Sequence, residues 1–345
     1  MGSILDAPVT PASIGAAPAT PRGLEDIEAT RARRLRPFHR ALAGRNGGKC
    51  YVWAIGHSFI EGAGVSSYTA RFTHQLNLAL AAQFPANGVT TPGLGYIAWA
   101  TPSMGNMSIL PITMPNVPQP STSGIGRHAF ELSTVDHKVT LTNVQTNRLF
   151  LVLTKKSGGG IGYYKVDGGA AVAFDSFNAS TVGGQLVNIT LTSGVHSVEV
   201  GWSSGGIVTF NGFMVFNGDA SVGVTVVPHG ASSTQTNFWL DATTQNHWDN
   251  LKTFTPSLMI ITDMRNDWSG GVPSATVKAN LTAMIGKING QYAADKLPTI
   301  VLCAEILDAL GTAPIEPWSN YVAKAKQLEN EQSNVLVFDM APPLR

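Results

Sequence analysis

The sequence predicts an α/β protein: a three-layer, doubly wound parallel sheet interrupted by an antiparallel β-sandwich. Two patterns carry this reading. Five runs are apolar almost throughout, KCYVWAI, VGVTVV, PSLMIIT, LPTIVLCA and NVLVFD, as strands are when helices cover both faces of a sheet. Between the first and second of these runs, residues 127–218 alternate with period two instead, as in HKVTLTN, RLFLVLT and HSVEVGW. Short alternating strands separated by turn signals make a sandwich.

Taken in order, residues 1–22 hold Pro8, Pro11, Pro18 and Pro21 among Ala, Thr and Ser. Such a stretch has too little apolar surface to fold alone and reads as an extended arm. Residues 23–48 form a helical linker that contains LEDIEATRARRLRPFHRALAGRN (24–46), whose acids precede its arginines as a helix dipole favours. Pro37 should kink or split it. Residues 49–126 and 219–345 make a discontinuous α/β domain, with helices expected at 68–84, 240–253, 274–293 and 318–331. Within it, 88–126 is rich in Gly, Pro, Ser and Thr and reads as loop. The sandwich at 127–218, with turns at Asp167-Gly168-Gly169 and Ser193-Gly194, is a candidate carbohydrate-binding insertion.

Composition narrows the function. Of 345 residues, 43% are hydrophobic, which is enough for a sizeable core. Lys and Arg number 23 against 22 Asp and Glu, a balance that argues against a nucleic-acid binder. No apolar run reaches the roughly 18 residues of a membrane helix, and the N-terminus lacks the basic start and apolar stretch of a secretory signal. Cys50 and Cys303 sit in apolar runs as buried thiols and cannot build a disulfide framework or a four-ligand zinc site. No metal or cofactor is expected.

Candidate chemistry gathers at strand ends, where open α/β sheets bind ligands. Ser58 follows the first strand in IGHSFIEG, Gly230 ends the second in VVPHG, and Asn266-Asp267 follow the third in IITDMRND. A serine attacking an ester needs donors aimed at the developing oxyanion, and the Ser58 and Gly230 N–H groups with the Asn266 amide are donors of that kind. Singly, each has a plainer reading: Ser58 and Asn266 as helix caps, Gly230 as a turn residue. The ordered set is the more specific signal.

In these residues the α/β part resembles the SGNH (GDSL-type) hydrolases, which are esterases and deacetylases. IGHSFIEG is similar to the family's Gly-Asp-Ser block with its Glu-Gly, Gly230 to the second-block glycine, and Met264-Arg265-Asn266-Asp267 to Gly-x-Asn-Asp. The resemblance implies the flavodoxin-like strand order 2-1-3-4-5, Ser58 as nucleophile, and Gly230 and Asn266 as oxyanion donors. It departs from the family in having His57 for Asp and Met264 for Gly. The family's base lies in an Asp-x-x-His after the last strand, whereas Pro342-Pro343-Leu344-Arg345 follow that strand here. The base is therefore expected to be absent from this chain, and the chain to be a weak or inactive esterase, unless a substitute serves. His229, beside the oxyanion glycine, is one candidate. His57 is a weaker one, because neighbouring strand side chains point to opposite faces. Asp267 is a third cleft residue, and a neighbouring subunit or sequence beyond Arg345 are further sources.

The arm PVTPASIGAAPATP, followed by a short helix and then a receptor-facing domain, resembles bacteriophage minor tail and tail-fibre proteins. That resemblance implies a virion tail protein, extracellular and homotrimeric. Its partners would be other tail proteins and a host envelope polysaccharide or glycolipid. Two functions are thus expected: an esterase acting on acylated host-envelope glycans, or a non-catalytic adsorption protein that binds the glycan through a degenerate fold.

Overall fold

The structure, a computed structural model, describes residues 24–89, 92–98, 106–116, 118–121, 124–241, 245–305 and 315–340. The chain falls into two units, 1–33 and 34–345. The arm expected at 1–22 lies outside the described residues. Of the first unit the structure describes helix α1 (Leu24–Arg34), which also takes in the first residue of the second. Helix α2 (Arg36–Ala43) follows after Leu35, with Pro37 in its first turn, where a missing N–H leaves no hydrogen bond unmade.

In the second unit, β1 (Lys49–Gly56), α3 (Ser58–Glu61) and α4 (Phe72–Gln83) come first. A run of antiparallel strands follows: β2 (Gly95–Ala98), β3 (Ile112–Thr113), β4 (Gln119–Ser121), β5 (Ala129–Leu132), β6 (Lys138–Lys155), β7 (Gly160–Val166), β8 (Val172–Asp175), β9 (Val182–Gly205) and β10 (Val208–Phe216). The α/β pattern then resumes with β11 (Gly223–Gly230), α5 (Gln245–Thr253), β12 (Pro256–Thr262), α6 (Met264–Ser269), α7 (Ser274–Asn289), β13 (Thr299–Ala304), α8 (Trp318–Glu331) and β14 (Val335–Asp339).

Among the described residues, β11-β1-β12-β13-β14 form one parallel sheet, which is the expected order 2-1-3-4-5 with β1 interior. Alternation along β1 explains the three layers. Cys50 and Val52 face α2 and α4 with Leu42, Val224 and Val226. Trp53 and Ile55 face α5, α7 and α8 with Trp248, Leu281 and Tyr321. Both cysteines are free and buried, and burial pushes the Cys50 thiol up to about 11 and Cys303 to about 12.

The insertion differs from expectation in extent and form. It is one curled sheet, β4-β5-β10-β6-β9-β7-β8 with β2 on β10 and β3 on β6, wrapped about its own core of Leu141, Leu151, Val200 and Phe210. It begins at Gly95, inside the stretch read as loop, because strands of two to four residues are too short to show alternation. Ser193-Gly194 is no turn: β9 runs through it, with an irregular register against β6 between Thr146 and Arg148. The turn at Asp167-Gly168 is present, both residues at positive φ (50° and 72°) as a type I′ turn requires, and the Gly169 N–H closes it on Val166 O at 2.8 Å. Tyr96, Val152, Met214 and Phe216 join the core on the Trp53 face, so the two sheets share apolar packing.

Candidate active site

The turn after β1 decides the site. Gly56 lies so close to its surroundings that a Cβ there would stand 2.1 Å from Thr262 Oγ1 and 2.9 Å from Ile60 Cγ1. At Gly230, level with Gly56 on the neighbouring strand, a Cβ would stand 2.1 Å from the Glu61 nitrogen. Two glycines thus let α3 sink onto the carboxyl ends of β1 and β11. The helix stops after four residues at Gly62, which takes φ 93° and donates its N–H to Ser58 O at 2.8 Å.

Helix α3 is capped at its start by His57, whose Nδ1 accepts the Phe59 N–H at 3.3 Å. The same Nδ1 lies 3.3 Å from Ser58 Oγ, and Nε2 lies 2.8 Å from Glu305 Oε2. A carboxylate only accepts, so the Glu305 contact assigns the proton to Nε2 and leaves the Nδ1 lone pair to the Phe59 N–H and the Ser58 hydroxyl. His57 is 2% exposed and Glu305 8%, while Ser58 is half-buried and Phe59 exposed. A hydroxyl at the surface is therefore joined through a buried imidazole to a buried carboxylate. The order hydroxyl, imidazole, carboxylate is that of serine hydrolases, with the ring nitrogens exchanged: here Nδ1 rather than Nε2 faces the hydroxyl.

This overturns the argument made against His57. It rested on strand alternation, but β1 ends at Gly56 and His57 is a helix cap. With backbone angles of φ −84° and ψ −152°, the cap folds the ring back over the first turn. Glu305 was missed altogether. Its signal was present in TIVLCAEI, a charged residue directly after an apolar parallel strand, where ligands of such sheets bind.

His229 occupies a different place. It is fully buried, stacked on Trp53 at 3.7 Å between ring centroids and against His247 at 5.1 Å, and among the described residues neither ring nitrogen has a hydrogen-bond partner. Burial and the neighbouring His247 hold its pKa well below the ordinary value. Asp267 is likewise a structural acceptor. Fully buried, it takes the Thr236 N–H at 2.8 Å and the Thr236 hydroxyl at 2.9 Å, and burial raises its pKa. Among the described residues no hydrogen bond joins either to Ser58.

The two oxyanion candidates share the rim with Ser58, since Gly230 ends β11 and Asn266 follows β12 on α6. No hydrogen bond joins either to Ser58. The Asn266 amide donates one hydrogen to Thr234 O at 2.7 Å, which ties α6 to the loop after β11. That loop is also held to α3, because Glu61 accepts the Ser232 N–H at 2.7 Å and the Ser232 hydroxyl. The Glu-Gly of the first motif thus fastens the second motif's loop to the serine helix. Asp263, which caps α6, accepts from Trp239 Nε1. Burial first, then Asp267 and Glu305, raise its pKa far above the carboxylate range. Among the described residues no cluster of His, Cys, Asp and Glu is arranged to hold a metal ion.

No family model and no curated protein matches the sequence. Among solved structures, one described as a peptidoglycan O-acetylesterase in action matches over 90% of this chain and 83% of its own, with a TM-score of 0.55 and 13% identity. That likeness establishes a shared fold. A family two carbohydrate esterase from Cellvibrio japonicus covers 71% of this chain and 88% of its own at 14% identity, with a TM-score of 0.28. One from Corynascus thermopiles with a carbohydrate binding domain covers the same shares at 11% identity and 0.30. Scores that low do not support a common arrangement.

Proposed function

We propose that this protein is a serine ester hydrolase that removes acyl groups from host-envelope glycans, with Ser58 as nucleophile, His57 as general base and Glu305 as the carboxylate that orients it. The observation that carries the reading is the continuous contact from Ser58 Oγ to His57 Nδ1 and from His57 Nε2 to Glu305. Ser58 Oγ attacks the ester carbonyl while its proton passes to Nδ1, and Glu305 stabilises the imidazolium so formed. The Ser58 N–H, at the start of α3 where helix N–H groups have no intrahelical acceptor, would stabilise the developing oxyanion with the Gly230 N–H and the second hydrogen of the Asn266 amide. His57 then protonates the departing sugar oxygen, and a water activated by the same nitrogen hydrolyses the acyl-serine.

A glycan ester as substrate is supported by the fold shared with a peptidoglycan O-acetylesterase. A bacteriophage tail as the setting, with a trimeric assembly of which the arm is part, rests on the sequence of residues 1–22. The testing experiment is labelling with a fluorophosphonate probe together with acetate release from O-acetylated envelope polysaccharide. Labelling confined to Ser58, and acetate release abolished in Ser58→Ala, are expected. An unlabelled wild-type protein overturns the hydrolase reading. A labelled protein that releases acetate from p-nitrophenyl acetate but from no envelope glycan overturns the substrate alone.

A further inference from the structure

At the opposite end of β1 the chain places a second chemically distinctive residue. Lys49 opens the strand whose last residue is Gly56. At about 3.3 Å per residue it stands about 23 Å from the Ser58 end. There a cavity of about 360 Å³ lies between α4, the end of β10 and the start of β11. Leu78, Ala81, Phe84, Val89, Val215 and Val224 supply apolar wall, and Lys49 and Asp219 are its charged residues.

The Lys49 amine makes no hydrogen bond and no direct ion pair among the described residues. It lies 4.8 Å from the centroid of the Phe216 ring. Asp219 acts on it electrostatically while accepting the Ser221 N–H at 2.8 Å and the Ser221 hydroxyl at 2.6 Å. On its far side Lys49 borders a second cavity, with Tyr51 and Arg148, and Arg148 acts in turn on Asp219. Burial lowers the Lys49 pKa to about 8, the attraction of Asp219 opposing the shift. Lys49 is half-buried at the edge of the cavity, and an amine partly desolvated beside an apolar wall is a nucleophile toward carbonyl carbon when neutral.

We propose that Lys49 and this cavity form a binding site for small apolar aldehydes, held as a reversible imine. The nitrogen lone pair forms a bond to the carbonyl carbon, and the C=O π pair moves to oxygen and takes up a proton, giving a carbinolamine. Loss of the amine proton and departure of the hydroxyl as water then leave C=N. No oxidant or reductant is consumed. The apolar walls hold the aldehyde's hydrocarbon part, and the Asp219 carboxylate stabilises the protonated imine. The site is independent of the Ser58 chemistry.

The test uses the full chain, hexanal and cyanoborohydride at pH 7.5, with the alkylated lysines mapped by peptide mass spectrometry. The sequence has 11 lysines. Lys49 is expected to be alkylated at least tenfold faster than the mean of the others, at a rate that rises with pH through about 8. Glyceraldehyde, which is similar in reactivity but polar, should show no such preference. Ala82 lines the cavity, and Ala82→Phe, which adds bulk there, should return Lys49 to the common rate. Alkylation that follows exposure overturns the proposal. So does equal preference for glyceraldehyde, or an Ala82→Phe protein that still favours Lys49.

Discussion

Replacing His57 by Asn separates the two roles of this residue. Asn is among the best N-cap residues, so α3 keeps an acceptor for the Phe59 N–H that His57 Nδ1 now takes at 3.3 Å. What is lost is the group 3.3 Å from Ser58 Oγ that can take its proton. General-base catalysis is worth about 10²–10⁴ in rate, which at 1.36 kcal/mol per decade is about 3–5 kcal/mol of barrier. The substitution also strands Glu305, only 8% exposed, without the Nε2–H it accepts at 2.8 Å. An unpaired buried acceptor costs about 1–3 kcal/mol of stability. The double variant His57→Asn/Glu305→Gln removes the buried charge, though not the unpaired polar group, so it should regain part of the melting temperature and no activity. The assay is kcat/KM on p-nitrophenyl acetate, with thermal melts alongside. The expected fall is at least a hundredfold in both variants. Adding Ser58→Ala to His57→Asn should cost little more, because residues that act as a unit are not additive. If His57→Asn stays within threefold of wild type while Ser58→Ala is inactive, the base lies elsewhere and the reasoning fails.

Three further outcomes are expected. Asn266→Ala should lower kcat by about 10²–10³ with little change in KM, the loss seen when one oxyanion donor is removed; an unchanged kcat would confine Asn266 to holding Thr234 O. Gly230→Ala drives a methyl group to 2.1 Å from the Glu61 nitrogen, so it should destabilise the fold by about 1–3 kcal/mol and displace Ser58; a stable, active variant would mean that α3 is not wedged there. His229 and His247 are held neutral by burial, His247 at about 3 against an ordinary 6.5. The unfolded chain therefore binds more protons, and stability present above about pH 6.5 is lost as pH falls below it. Asp263 and Asp267, raised by burial, act in the opposite sense, so the histidines are read from the difference: His229→Phe, which keeps a ring on Trp53, should gain melting temperature relative to wild type from pH 7.5 to pH 5; equal slopes would refute the assignment.

The parallel sheet, its strand order and most of its helices were legible in the sequence because burial on both faces leaves continuous apolar runs that only a covered sheet produces. Helix α7 fell at 274–289 against an expected 274–293, and α8 at the expected 318–331. Ser58, Gly230 and Asn266 were legible as strand-end residues because in a parallel sheet all carboxyl ends share one rim. Two things lay beyond local pattern. The short strands at 95–121 carry too few residues for a period and exist only because longer partners supply their hydrogen bonds. The contact between His57 and Ser58 was the other. Whether His57 faces toward or away from Ser58 depends on a single dihedral change, from strand at Gly56 to helix cap at His57. Its partner Glu305 stands 248 positions away in sequence. The strand-end motif singled out Ser58; only the packing of α3 onto two glycines, with β13 ending close by, brought an imidazole and a carboxylate into line behind its hydroxyl.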